Sequence, residues 1–219
     1  MFIGHYAVGL AAKRVAPKVS VGMFFLSVQF LDLIWPILLL LGFEHVLIEP
    51  GNTAYTPLNF IDYPFSHSLL ASILWAIILG SVYFAIRRYG IGALMIGLGV
   101  VSHWILDFIT HRPDLPLAPW SNEMAGLGLW NSVSWSIIVE GAIYLLGVII
   151  YSRFTEPIDR VGKYAYWSLV IFLPVVWIAN IFSVPPNEEA IAYSALLLWL
   201  LIPWGYWIDK HRQTARVSE

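Results

Sequence analysis

Long apolar runs alternate with short polar connections along this chain. A helix that crosses a bilayer needs about 20 mostly apolar residues. Six runs meet that length, at roughly 19–43, 66–87, 91–111, 132–152, 164–183 and 190–208. The pattern therefore predicts an all-α, polytopic helical bundle with about six transmembrane helices. The first dozen residues, "MFIGHYAVGLAA", are apolar but too short to span. They are expected to lie in the interface or to enter the membrane as a half-helix, which is tolerated where protein or water covers the polar backbone. Connections 44–65 and 112–131 are rich in Pro and Gly, and loops of that length often serve as lids or binding elements. With no internal repeat and no low-complexity segment, residues 1–219 read as a single integral membrane domain.

Charge turns this pattern into a topology. Eleven of the twelve Lys and Arg residues fall on one side of a six-span arrangement: Lys13, Arg14, Lys18, Arg87, Arg88, Arg153, Arg160, Lys163, Lys210, Arg212 and Arg216. The other side holds Arg112 together with Glu44, Glu49, Asp62, Asp114, Glu123, Glu188 and Glu189. The positive-inside rule then predicts that both termini are cytoplasmic. In the N-terminal segment the positive charges follow the apolar stretch, the reverse of a secretory signal, so the segment is expected to remain on the mature protein.

Composition agrees with a chain dissolved mostly in lipid. It is 59% hydrophobic and 12% charged, against about 45–50% and 25% for soluble domains. Eleven Trp residues suit aromatic belts at the two interfaces. The near-balanced net charge of −2 gives no reason to expect nucleic acid as a partner; membrane lipids are the expected surroundings. No cysteine is present, so disulfides and thiolate metal sites are excluded.

Against this apolar background a few ionisable residues stand out, because each costs several kcal/mol inside a span and suggests function by default. They are Asp32 in the first span, His67 at the start of the second, His103 and Asp107 in the third, and Glu140 in the fourth. In "SHWILDFITHR", His103, Asp107 and His111 recur every fourth position, and residues i and i+4 share one helical face. At about 1.5 Å of rise per residue, His103 lies roughly 18 Å and Asp107 roughly 24 Å from the cytoplasmic end of their helix. Asp32 comes out near 18–20 Å on a parallel span, and His67 opens the next helix from the outer surface. The four are expected to converge in the outer half of the bilayer.

His and carboxylate side chains without thiolates form a ligand set for Zn, Mn or Fe. The same residues would also suit a proton or cation relay, or polar glue between helices. His111 reads as an interface residue rather than a ligand, and His45 and His211 as solvated. Glu140 reads as a supporting carboxylate or a base. The "SHS" around His67 is not read as a Ser–His catalytic pair, since adjacent helical residues do not face each other. Phosphate-loop, GxSxG and dinucleotide-binding glycine motifs are missing from the sequence.

The order of these elements resembles a known family. An early His in "MFIGHYAVG" is followed by the Asp of "VQFLDLIWP", then "PFSHSLL", then "SHWILDFITHRPDLPL". This is similar to the bacterial membrane-bound metal-dependent hydrolases, the LexA-regulated inner-membrane proteins, whose hallmarks are "THSL" and "HxxLD" elements. The likeness covers roughly residues 1–120, and "QFLDLIW" has one carboxylate where the family commonly has "LPDxD". The resemblance implies a small helical inner-membrane bundle. It also implies a metal site from His5, Asp32, His67, His103 and Asp107, by analogy with zinc-dependent phosphoesterases. His5 would reach that site only if residues 1–12 rise into the membrane.

The expectation is thus a zinc-type hydrolase of the inner membrane acting on a lipid or other membrane-proximal ester or phosphoester. Asp107 would be a ligand or the general base, and Glu140 a second candidate for catalysis. Two rivals remain at this stage. One is a proton- or cation-conducting transporter, although the sequence lacks the paired broken helices usual at such sites. The other is an accessory subunit of a larger membrane complex or a homo-oligomer.

Overall fold

The computed structural model describes residues 1–215; Arg216, one of the basic residues counted above, lies outside them. The architecture is an all-α polytopic bundle. Among the described residues, five helices are long and apolar enough to cross a membrane: α5 (Leu69–Arg87), α6 (Gly90–Thr110), α7 (Val133–Phe154), α8 (Arg160–Ile181) and the stretch Glu188–Lys210. α2 (Val21–Val28) and α3 (Phe30–Leu40) form a pair bent by 54°, which counts as a sixth crossing where the pair is taken as one broken span and as a re-entrant loop otherwise. Lipid-facing positions such as Ile77, Ile78, Leu145 and Ile171 leave large apolar side chains exposed, as expected where the surrounding solvent is hydrocarbon.

The expected first span, 19–43, is therefore broken rather than continuous. The break falls at Gln29, and two orphaned or missing backbone partners surround it. Val28 lies in the last turn of α2, where carbonyls lack intrahelical donors. Pro36 has no N–H to offer the carbonyl of Asp32 four residues earlier. Polar backbone at membrane depth must find other partners, and the Val28 carbonyl does so at the His/Asp cluster described below.

Proline shapes two further helices in the same way. Pro174 inside α8 cannot donate to the carbonyl of Val170, which instead accepts a 3.0 Å hydrogen bond from Tyr144 Oη on α7. The last crossing runs as α9 (Glu188–Leu196), a 3-10 stretch (Leu197–Leu200) and α10 (Leu201–Lys210). Pro203 leaves Trp199 without its donor at the point where the helix tightens.

Residues 1–12 form a half-helix. α1 (Ile3–Ala12) is buried along most of its length and packs among α2, α6 and α7. Gly147 makes this possible: a side chain at that position would meet the α1 backbone, with Ala7 Cα only 2.6 Å from its Cβ. α1 ends at a basic end of the bundle, where Lys13 Nζ pairs with Asp209 Oδ1 at 2.5 Å. There β5 (Thr155–Pro157) and β6 (Arg212–Thr214) form a short antiparallel ladder.

The opposite end is capped by the two long connections. Residues 44–65 contain an antiparallel hairpin, β1 (His45–Ile48) with β2 (Leu58–Asp62), followed by the single-turn α4 (Pro64–His67). Residues 112–131 add a two-residue ladder, β3 (Leu115–Pro116) with β4 (Met124–Ala125). The two caps are tied together: Tyr55 N donates to Trp130 O at 3.1 Å, and the Arg112 guanidinium donates to Asn59.

Candidate metal centre

Four elements bring five side chains to one point. α1 supplies His5, α3 supplies Asp32, α4 supplies His67, and one face of α6 supplies His103 and Asp107. His5, His103 and Asp107 form one group whose ligand atoms all lie within 4.8 Å of one another; Asp32, His67 and His103 form a second, so His103 belongs to both. Asp107 also spans them. Its Oδ1 is 3.2 Å from His5 Nε2, and its Oδ2 is 3.1 Å from His103 Nε2 and 3.8 Å from His67 Nε2. Asp32 Oδ1 is 3.3 Å from His67 Nε2 and 3.6 Å from His103 Nε2. The His5 and His103 rings stack face to face with centroids 3.7 Å apart.

Burial is uneven. The side chains of His5, His67, His103 and Asp107 are nearly inaccessible, while that of Asp32 is 24% exposed. Asp32 is thus the side on which the cluster opens. Trp35 and Tyr63 rings lie beside His67, with centroids 6.5 and 5.1 Å away.

The imidazoles are oriented from behind. His103 Nδ1 is 2.7 Å from the Val28 carbonyl exposed by the α2–α3 break. A carbonyl only accepts, so Nδ1 carries the proton and Nε2 is left bare in the neutral ring. His103 Nε2 and both nitrogens of His5 make no hydrogen bond although they are buried. Buried polar atoms are normally satisfied, and here the His103 Nε2 lone pair of the neutral ring faces carboxylate oxygens instead. This donor set of three imidazoles and two carboxylates fits a divalent cation, with nitrogen and oxygen ligands of the kind zinc takes. Asp107 has a further neighbour: the Met1 amino nitrogen lies 2.5 Å from its Oδ1 and 3.3 Å from Thr110 Oγ1.

Glu140 lies elsewhere. It is fully buried on α7, where its Oε1 accepts from the N–H groups of Phe2 at 2.5 Å and Gly4 at 3.2 Å. Its Oε2 accepts from Trp177 Nε1 at 3.1 Å. These contacts put a negative charge at the N-terminus of α1, where unpaired N–H groups favour it. Glu140 belongs to neither ligand group.

The other histidines divide. His111 is buried at the end of α6, with Nδ1 3.0 Å from Asp114 Oδ1 and its ring against Trp130. His45 is exposed on the hairpin, 2.7 Å from Asp62 Oδ1, and His211 sits at the basic end, 2.7 Å from Asp159 Oδ2. Asp159 caps α8 by accepting from Gly162 N at 2.8 Å. That hydrogen bond, with the one from His211, holds the Asp159 carboxyl below the usual carboxylate range.

Two sequence expectations need correction. Glu44, expected in a solvent-facing loop, is buried. Ser66 and His67, expected not to face each other, touch at 2.7 Å between Oγ and Nδ1. The second follows from the brevity of α4: His67 is its final residue, and the chain turns extended at Ser68, so helical side-chain directions no longer apply. The hydroxyl of Ser66 is committed to Glu44 Oε2 at 2.6 Å. Ser66 is therefore not poised as a nucleophile activated by His67.

Fold and cluster together define a multi-pass helical membrane protein with an intramembrane His/Asp centre. The chain belongs to the YdjM inner membrane protein family, whose model matches residues 61–211. The matched segment carries His67, His103, Asp107 and Glu140, while His5 and Asp32 lie ahead of it. No curated protein and no solved structure matches the chain.

Proposed function

We propose that this inner-membrane protein is a metal-dependent hydrolase, and that His5, Asp32, His67, His103 and Asp107 hold a divalent cation, zinc by preference. The observation that carries this reading is the set of buried imidazole nitrogens facing carboxylate oxygens at 3.1–3.6 Å, of which His5 Nε2 and His103 Nε2 make no hydrogen bond. A cation relieves the repulsion between these lone pairs, and two carboxylates neutralise its charge.

When bound, such a metal supplies Lewis acidity for polarising an ester and activating water. The protein residues do the rest. His103 is aimed by the Val28 carbonyl. Asp107 reaches from His5 to His103 and His67 and, with Asp32, gives the centre its negative charge. Asp32 is the ligand that meets solvent, and Trp35 and Tyr63 border the cluster with apolar surface. This arrangement suits a lipid or other membrane-proximal ester or phosphoester. With the basic end cytoplasmic under the positive-inside rule, the site opens toward the outer half of the bilayer.

The test is hydrolysis by purified protein in micelles, assayed on p-nitrophenyl carboxylic and phosphate esters of increasing acyl length, with and without added zinc. Zinc-dependent turnover that disappears in Asp107→Asn is the expected result. Zinc-loaded protein that turns over none of these esters would overturn the hydrolase assignment.

A further inference from the structure

The sequence offers Glu44 only as a loop carboxylate, yet it ends up buried behind the His67 ligand. Local geometry explains how. α3 closes with Gly42 at φ +73°, a left-handed position that glycine adopts without penalty. Phe43 N reaches back to Leu38 O at 2.9 Å and Gly42 N to Leu39 O at 3.0 Å, the paired bonds of a Schellman closure. The chain reverses there and points Glu44 at α4.

At α4, Glu44 Oε1 accepts from the N–H groups of Phe65 and Ser66, both at 2.8 Å. Its Oε2 accepts from Ser66 Oγ at 2.6 Å, and Ser66 Oγ lies 2.7 Å from His67 Nδ1. On the other side, Trp75 Nε1 donates to Phe65 O at 3.0 Å. A carboxylate offers only acceptors, so the Ser66 proton goes to Glu44. Ser66 then has only lone pairs for His67, and Nδ1 must be the donor. The consequence is a single tautomer: Nδ1–H toward Ser66, with a bare Nε2 toward Asp32 and Asp107.

We infer that Glu44 and Ser66 are positioning residues that fix the tautomer and ring orientation of His67 as a metal ligand, through the chain Glu44–Ser66–His67. This rests on the metal-centre reading above. Partners behind a ligating imidazole set its basicity and orientation, and losing one typically costs roughly 10–100-fold in metal affinity.

The experiment measures zinc affinity by chelator competition on purified protein in micelles, for wild type, Ser66→Ala, Ser66→Thr and Glu44→Gln. Ser66→Ala keeps the Glu44 cap on the two N–H groups, and its fold is checked by comparing its melting temperature with that of the wild type. It is expected to bind zinc roughly 10–100-fold more weakly, and Ser66→Thr, which restores the hydroxyl, to recover most of that loss. Glu44→Gln should weaken binding similarly, because the amide that faces Ser66 no longer accepts its proton. ¹⁵N NMR of His67 without metal supplies a readout that a purely structural role would not move. The ring should be the Nδ1–H tautomer in wild type and a mixture in Ser66→Ala and Glu44→Gln. Wild-type zinc affinity and an unchanged Nδ1–H tautomer in both variants would overturn the inference while leaving the metal centre standing. Failure of the wild-type protein itself to bind zinc is the separate result that removes the metal centre.

Discussion

Asp107 and Glu140 are both carboxylates buried in successive long apolar helices, α6 and α7, and their surroundings differ. Glu140 accepts hydrogen bonds from N–H donors of Phe2, Gly4 and Trp177. Asp107 accepts from the Met1 amino group through Oδ1 at 2.5 Å, but it also faces His5, His67 and His103 nitrogens, of which His5 Nε2 and His103 Nε2 make no hydrogen bond. An intramembrane carboxylate is therefore not a ligand merely because burial is costly. What matters is whether protein donors already satisfy it. Glu140 is complete as it stands, and it anchors α1; on the proposed reading a cation completes the Asp107 cluster.

The largest expected effect follows from Asp107 and His103. Either His103→Ala or Asp107→Asn should lose zinc altogether, beyond the roughly 10–100-fold loss assigned to supporting residues, measured by metal analysis after gel filtration. Full zinc retention in both variants would erase the distinction between the two carboxylates. An intermediate effect is expected for Glu140→Gln. Whichever way the amide turns, its NH₂ meets N–H donors, leaving buried groups unpaired at about 1–3 kcal/mol. The melting temperature should fall while zinc content stays at the wild-type level. Zinc loss matching that of Asp107→Asn would place Glu140 in the metal centre after all.

The smallest effect belongs to a third carboxylate, the exposed Asp159, which like Glu140 accepts from a helix N-terminus. Its folded-state pKa is depressed by the Gly162 hydrogen bond and then by His211. A depressed carboxyl contributes stability above its unfolded value, near 3.9, and loses it as pH falls through the folded value. Thermal melts across pH 7 to 3 should therefore show a slightly shallower acid decline for Asp159→Asn than for wild type. Superimposable profiles would show that this exposed cap contributes nothing measurable.

Much of this was legible in the sequence, for identifiable reasons. Hydropathy located the spans because backbone in lipid must be helical. The i, i+4 spacing put His103 and Asp107 on one face, and depth counting brought Asp32 and His67 to them. His5 came from the resemblance, with the condition that α1 rise into the membrane; the helix packs buried among α2, α6 and α7. Other features depended on tertiary placement. The break at Gln29 is marked in sequence only by Pro36, seven residues on. Glu44 reads as an ordinary loop carboxylate until the Gly42 turn folds it back onto α4. The donors around Glu140 come from the start of the chain and from α8, partners that no local spacing announces. Gly42 was the one available signal for Glu44, since glycine after an apolar helix commonly reverses the chain.

The central claim is that the His/Asp cluster is a cation site. Its most direct test is zinc titration of the wild-type protein purified without chelator in micelles, followed by metal analysis after gel filtration. About one or two equivalents of tightly held zinc per chain are expected. Folded protein that retains none would contradict the claim, and would leave the buried imidazoles and carboxylates as polar packing between helices.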